Sequence, residues 1–499
     1  MINPTKVLLI GIDAADKDLL TQWSQEGQLP TFHSLFERGA WGTTLNPPGV
    51  YVGAMWPSFY TSLSPTRHGR YAFKQIKAGS YDLPKFFPRD TKGEPFWMAL
   101  SRAGRKVALI DIPKSSLTPN LNGIQIVDWT THDPDEGFQT WPPDLKTKIE
   151  GKFGTDPVGI CDHFGQKPDD YIALRDALLS RVRMKTELSS HFLNQGGWDL
   201  FMTVFAESHC VGHQCWHLHD PKDERYNPET SKAVGNPIKE VYQALDRDIA
   251  RLIHEAGPET TIFILASHGM GDFNGAAHLL EDMLRRLEKP RAQDFIRTAL
   301  RNCWHLLPPL LRSRLFKGFK KKISDRSSRI CFEVPNNILG GIRINVIGRE
   351  PNGKINPGAE YDTFCATLTQ DLLAFTNSEN GKPVVKHVRR TQDLYPGEDT
   401  SAMPDLIVEW TCEGPPPSVI YSPKTGTIKS VYAGCRTGDH TPEGMFFVLG
   451  PQIKPGPINH AVSIMDFGPT LAAFTGVTLT GIDGKSFAPE ICIRENMEK

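Results

Sequence analysis

Two hydrophobic periods alternate along the chain. "KVLLIGID" is an unbroken apolar run closed by Asp13, which predicts a buried parallel strand with the acid at its carboxyl end. "DKDLLTQWSQEG" and "LPTFHSLFERG" follow with helical spacing. "KVALIDIP" is a second buried strand, and "DYIALRDALLSRVRMKTELSSHFLNQ" a long helix. "WDLFMTVFAES" runs as a strand into a histidine-rich stretch. "NPIKEVYQALDRDIARLIHEAG" predicts a helix, and "TTIFILASHGMGD" a strand ending at Ser267-His268-Gly269. "MPDLIVEW" and "GMFFVLG" add strands, and "SIMDFGPTLAAFTGV" a closing helix. The alternation predicts an α/β fold, a mostly parallel central sheet with helices on both faces.

Less regular stretches interrupt this pattern. "RAQDFIRTALRNCWHLLPPLLRSRLFKGFKKKISDRSSR" is basic and amphipathic and reads as a solvated helical insertion broken at Pro308-Pro309. Its charge also suits an anionic partner or membrane surface. "CFEVPNNILGGIRINVIGREPNGKINPGAEYD" is rich in turn signals and reads as loops and short strands. A single domain over residues 1–499 is expected, with loop and helix insertions at about 75–195 and 280–400 forming a cap.

Composition narrows the class. The chain is 39% hydrophobic and 23% charged, with a net charge of -1, so no polyelectrolyte argument points to a nucleic-acid polymer. Val7 to Ile12 is too short for the apolar core of a signal peptide, and no stretch reaches the roughly 18 apolar residues of a spanning helix. Nine scattered cysteines without a CxxC pair fit a reducing compartment, so a cytoplasmic location is expected.

The chemistry concentrates at strand ends. Asp13, the His209 region and His268 each terminate a predicted strand, and His440 in "TGDHTPEGMFFVLG" precedes one. Ligands from several strand ends can converge at one edge of a sheet. Histidine and carboxylate suit zinc, with iron or manganese as alternative occupants. "FAESHCVGHQCWHLHD" holds four histidines between His209 and His219. His209 and His213, four apart, share one helical face, as paired zinc-binding histidines do. His217 and His219 are assigned supporting roles. Glu207, Asp220 and Asp439 are candidates to orient ligand rings. Cys210 and Cys215 flank the cluster, with thiol ligation a lesser alternative.

Taken in order, "LLIGIDAAD", "LPTFHSLFERGAWG", "WPSFYTSLSPTRHGRYAF", "FAESHCVGH", "LASHGMGD", "GDHTPEGMFFVLGPQI" and "VSIMDFGPTLAAFTGVTLTGIDGKSF" resemble the alkaline phosphatase superfamily. The nearest branch is the type I phosphodiesterase/nucleotide pyrophosphatase family. The resemblance covers most of the chain and implies an alkaline-phosphatase-like fold. It also implies two metal ions, commonly zinc, one bound by an Asp and two His, the other by two Asp, a His and a nucleophile. Carried over, the first site is His209, His213 and His440, and the second contains Asp13 and His268.

Three departures alter the expected chemistry. His209 stands where the family has Asp, giving a three-histidine site that zinc accepts with water in the fourth position. Ser267 stands where the family has a second Asp. The position of the nucleophile, four before Trp56, is Val52; Tyr51 is adjacent, and Ser58 and Thr61 lie further along. With Asp13 the remaining carboxylate, two close dications carry a high Coulomb cost. One zinc is therefore expected, with the second site weak or absent.

The expected function is metal-dependent hydrolysis of a phosphoester, as a phosphodiesterase or nucleotide pyrophosphatase. The attacking group is metal-activated water or a nucleophile near Tyr51. The alternatives are a single-metal, three-histidine enzyme acting on a non-phosphate substrate, and a non-catalytic metal-binding homologue. The partner is a small anionic ester; substrate-binding residues and oligomeric state are left open. Arg67, Arg343 and Arg349 are possible anion clamps, weighed against surface roles.

Overall fold

The computed structural model describes residues 3–163, 167–288, 326–411 and 414–493. All but the last residues of the basic amphipathic segment lie outside the described residues. The chain divides into two compact units, Met1–Ala72, Phe86–Phe273 and Gly434–Lys499 forming one, Phe73–Lys85 and Asn274–Ala433 the other.

The first unit is built on a ten-stranded sheet. Its strands begin with β1 (Lys6–Ile12), β2 (Ala40–Leu45), β3 (Val107–Ile110), β4 (Gly123–Val127), β5 (Gln139–Trp141), β6 (Leu200–Phe205) and β7 (Thr260–Ala266). Glu443–Leu449, Gly456–Pro457 and Val462–Ser463 complete it. Across the sheet the order is Gly456–Pro457, β2, Glu443–Leu449, β7, β1, β6, β3, β4, β5, with Val462–Ser463 also paired to β2. The central strands β7, β1, β6, β3 and β4 are parallel. Glu443–Leu449 instead runs antiparallel to both β2 and β7.

Hydrophobic burial on both faces explains the unbroken apolar runs. In β1, Leu8, Ile10 and Ile12 enter one core while Val7 and Leu9 enter the other. The first core is closed by Leu19 and Trp23, Phe32 and Leu35, Leu178 and Val182, and Val241 and Leu245 from four helices. The second is closed by Met55 and Phe59, Trp97 and Leu100, and Leu471 and Phe474 from three more. Each such side chain, fully buried, contributes about 1.5–3 kcal/mol.

The second unit has its own core, including Ile342, Leu372, Phe375, Leu406 and Val408. Its four-stranded sheet runs Val385–Arg390, Leu406–Trp410, Gly340–Ile344, Cys331–Val334, antiparallel throughout. "MPDLIVEW" belongs here, not to the parallel sheet. Arg343 pairs with Glu350 at 2.7 Å, and Arg349 pairs with Asp405 and Glu350, so both candidate clamps hold carboxylates of their own unit.

Register brings the chemistry together. Ile12 of β1 sits opposite Phe205 of β6 and Ala266 of β7. Asp13, Ala206 and Ser267 therefore follow side by side at the carboxyl edge of three adjacent parallel strands. β8 (Gly269–Asp272) continues from β7 and pairs antiparallel with Gly438–Thr441, which sets His440 opposite Met270. Among the described residues no helix is long and apolar enough to cross a membrane.

Candidate metal centre

The strand ends place five histidine rings in one buried cluster. His209 and His213 project from the Glu207–His219 helix, which starts directly after β6. Their ring centres are 4.6 Å apart, and His440 lies 4.6 Å from His209 and 4.7 Å from His213. His268 lies 4.4 Å from His440. The fifth ring, His132, is 3.9 Å from His209.

Hydrogen bonds orient most of these rings. His213 Nδ1 donates to the Gly438 carbonyl at 2.8 Å, which leaves Nε2 as the free nitrogen. His209 Nδ1 donates to Asp13 Oδ2 at 2.9 Å, so its Nε2 is free as well. These two Nε2 atoms face one another at 2.8 Å. His268 Nδ1 lies 2.9 Å from Ser267 Oγ, and its buried Nε2 has no partner among the described residues. His440 Nδ1 is likewise buried without a partner among the described residues.

Burial sets the electrostatics. It pushes the pKa of His213 and His440 well below the ordinary imidazole value, with help from the Arg436 charge at His213 and from neighbouring rings at His440. Burial takes His268 down to about 4 against the opposing pull of Asp13. For Asp13, burial acts upward, but the charge and hydrogen bond of His209, with His268 and Trp56, hold the carboxyl below its usual range. The rings of His209, His213, His268 and His440 are thus neutral lone-pair donors beside the ionised Asp13 carboxylate. At His132, by contrast, burial acts downward but Cys210 and Asp133 raise the pKa to about 9.

Donor sets suited to a metal recur within this cluster. His132, His209 and His213 offer ligand atoms within 4.8 Å of one another, as do His213, Asp439 and His440.

The model for the type I phosphodiesterase / nucleotide pyrophosphatase family matches residues 7–413. The chain belongs to this family. Its members are phosphoester hydrolases, which is the reaction class of this chain. A solved structure of murine ectonucleotide pyrophosphatase/phosphodiesterase 5 is similar over 96% of this chain and 97% of that one, at 11% identity and TM-score 0.50. An inactive variant of the same murine protein in complex with AMP matches over the same shares, at 11% identity and TM-score 0.51. These likenesses show the alkaline-phosphatase-like α/β fold. A search of curated proteins finds no match to this chain.

Within this family frame, the residues singled out from sequence divide by position. His209, His213, His440, His268 and Asp13 all lie in the cluster. Asp13 accepts from Trp56 Nε1 at 2.9 Å and from Ser267 Oγ at 3.3 Å, besides His209. Tyr51 opens the Tyr51–Thr61 helix, and its hydroxyl donates to the His440 carbonyl at 3.1 Å. Ser58 is bonded to His68, and Thr61 donates to the Pro57 carbonyl. His217 lies 3.0 Å from Thr437, and His219 accepts from Asn236. Arg67 pairs with Asp483. Asp439, expected to orient a ring, sits close enough to His213 and His440 to be a donor itself; burial raises its pKa to about 7.

His132 escaped the sequence reading. It follows β4, whose run "GIQIV" is short and broken by a glutamine, so the strand end that carries "THD" gives little periodic signal. Asp111, at the end of β3, accepts from the backbone of Trp129 and Thr130, and Lys185 bonds Asp111 at 2.9 Å. That buried pair ties down the loop bearing His132.

Proposed function

We propose that this protein hydrolyses a phosphodiester or nucleotide-type pyrophosphate, with one zinc-class ion held by His209, His213 and His440. The observation that carries the reading is the Nε2–Nε2 contact of His209 and His213 at 2.8 Å. Either a shared proton or a metal ion accounts for two imidazole nitrogens this close, and with both Nδ1 atoms already hydrogen-bonded it is the Nε2 pair that is presented to an ion. The His440 ring centre lies 4.6 Å and 4.7 Å from those of His209 and His213, and its buried Nδ1 has no partner among the described residues.

When bound, such an ion lowers the pKa of a water ligand and polarises a phosphoryl oxygen. The chain's own residues prepare for it. Asp13 and the Gly438 carbonyl hold the Nδ1 protons of His209 and His213, which points the Nε2 lone pairs inward. Val52 offers no atom for attack, and Tyr51 is engaged with the His440 carbonyl. Both features favour water over a side-chain nucleophile. At the second family position, Ser267 links Asp13 to His268 and supplies no charge. That arrangement supports a single ion here, with iron or manganese as alternative occupants. The AMP complex of the murine relative makes a nucleotide monoester or diester a natural probe of substrate class. The cysteines among the described residues are free thiols, which favours a reducing, cytoplasmic setting.

The test is metal content and hydrolysis of a nitrophenyl phosphodiester by wild type, His213→Ala and His440→Ala. Each variant should lose one equivalent of metal together with its activity. Loss of two equivalents from either variant would sink the single-ion reading. Retained metal chemistry with no action on phosphoesters would favour the second reading, a three-histidine enzyme for a non-phosphate substrate, which the valine at position 52 motivates.

A further inference from the structure

Behind the histidine cluster, three more donors converge. His132 Nδ1 lies 3.3 Å from Cys210 Sγ and 3.3 Å from Cys161 Sγ. The three ligand atoms lie within 4.8 Å of one another. Both cysteines are wholly buried and His132 is 6% exposed. They come from three separate pieces of the first unit: the loop after β4, the short turn Cys161–His163 and the Glu207–His219 helix.

The geometry points to a second, sulfur-containing metal site, Cys161–Cys210–His132, that takes a zinc-class ion. Four observations carry it. First, Nδ1 has one lone pair or one proton, yet two sulfurs compete for it at equal distance. The ring can bond one of them, Arg181 reaches Cys210 Sγ at 3.6 Å, and an ion would hold all three ligand atoms at once. Second, the separations suit coordination. With zinc–nitrogen near 2.0 Å and zinc–sulfur near 2.3 Å, tetrahedral geometry sets nitrogen and sulfur about 3.5 Å apart. Third, the other ring nitrogen, His132 Nε2, lies 3.1 Å from Asp133 Oδ2, the carboxylate–histidine arrangement that orients metal ligands. Fourth, charge balances. The Arg181 guanidinium beside Cys210 is matched by Asp156 at 2.6 Å, which leaves two thiolates to neutralise one dication.

With its orientation set this way, His132 belongs to the sulfur site and not to the set formed with His209 and His213. The ion would clamp the helix one residue from His209, so it would fix the backbone that carries the catalytic candidates. The site is independent of the phosphoester reading: it rests on different ligands, and its test does not use hydrolysis.

The test is cobalt(II) titration of metal-stripped protein, read by absorption. Sulfur bound to cobalt gives a near-ultraviolet charge-transfer band that a centre of histidines alone lacks. Wild type and His213→Ala should both show the band. Cys161→Ser and Cys210→Ser should each lose it, with one equivalent fewer of bound cobalt than wild type. Absence of the band from wild type would overturn the proposal, whatever the variants do. So would a band that survives in either cysteine variant, or one that vanishes in His213→Ala.

Discussion

Asp13 Oδ2 receives the Nδ1 proton of His209 at 2.9 Å, and that bond turns the opposite nitrogen of His209 toward His213. The carboxylate at the end of the first strand thus orients a ligand ring, in addition to any direct part in metal binding. Asp13→Asn keeps the shape and removes the charge. Losing such an orienting carboxylate typically weakens metal affinity by about 10–100-fold. Competition against a chelator should show a loss in that range, with hydrolysis falling in step. Unchanged affinity would remove Asp13 from this role.

Much of this arrangement was legible in the sequence because unbroken apolar runs mark parallel strands buried on both faces. "KVLLIGID", "WDLFMTVFAES" and "TTIFILASHGMGD" became the three central strands, so Asp13, His209 and His268 meet at one edge. The i, i+4 spacing put His209 and His213 on one helical face. His440 arrives by another route. Its strand pairs antiparallel with the short β8, a register that apolar periodicity cannot reveal. His132 and Cys161 sit on a loop and a turn, where local pattern carries no information about which distant groups they meet. In the expected insertion at about 280–400 the turn signals mark short strands but not their order, because their antiparallel pairing spans long sequence separations.

Tyr51 is buried, and its hydroxyl is bonded to the backbone of a metal-ligand candidate. Tyr51→Phe should therefore leave phosphodiester turnover near wild type. The lost hydrogen bond should cost about 0.5–1.5 kcal/mol in urea unfolding. A collapse of kcat in a variant with an intact fold would instead make Tyr51 the nucleophile.

His68 gives the fold a pH dependence with a definite sign. The Arg70 amide donates to its Nδ1 at 3.1 Å, so Nε2 carries the proton and donates to Ser58 Oγ at 2.9 Å. Burial, then the Arg70 charge, pushes its pKa from 6.5 down to about 3. Between those values the unfolded chain binds a proton that the native state refuses. Stability is therefore full above pH 6.5 and is lost as pH falls toward about 3. The slope from one such group is at most about 1.4 kcal/mol per pH unit. Urea unfolding of metal-free His68→Asn should show a shallower slope across this window than wild type. Equal slopes would mean that His68 takes up its proton in the native state.

Gly438 makes two demands at once. Its carbonyl holds His213 Nδ1, and a Cβ built on it would overlap the Gly212 carbonyl oxygen and come within 2.9 Å of Trp216 Cβ. The nearest obstacle is backbone of the very helix that carries His209 and His213, so no side-chain rotation relieves it. Gly438→Ala must push apart the helix and the strand bearing His440. Overpacking of this kind costs about 1–3 kcal/mol, and here the displacement falls between ligands from both elements. Metal affinity and hydrolysis should therefore drop together, more than the loss in thermal stability alone accounts for. Gly151→Ala is the control: it lies in a helix, and nothing stands within 4 Å of its added methyl. That change should leave metal binding untouched and raise stability by up to about 1 kcal/mol. If Gly438→Ala keeps wild-type metal affinity, His213 and His440 do not share an ion.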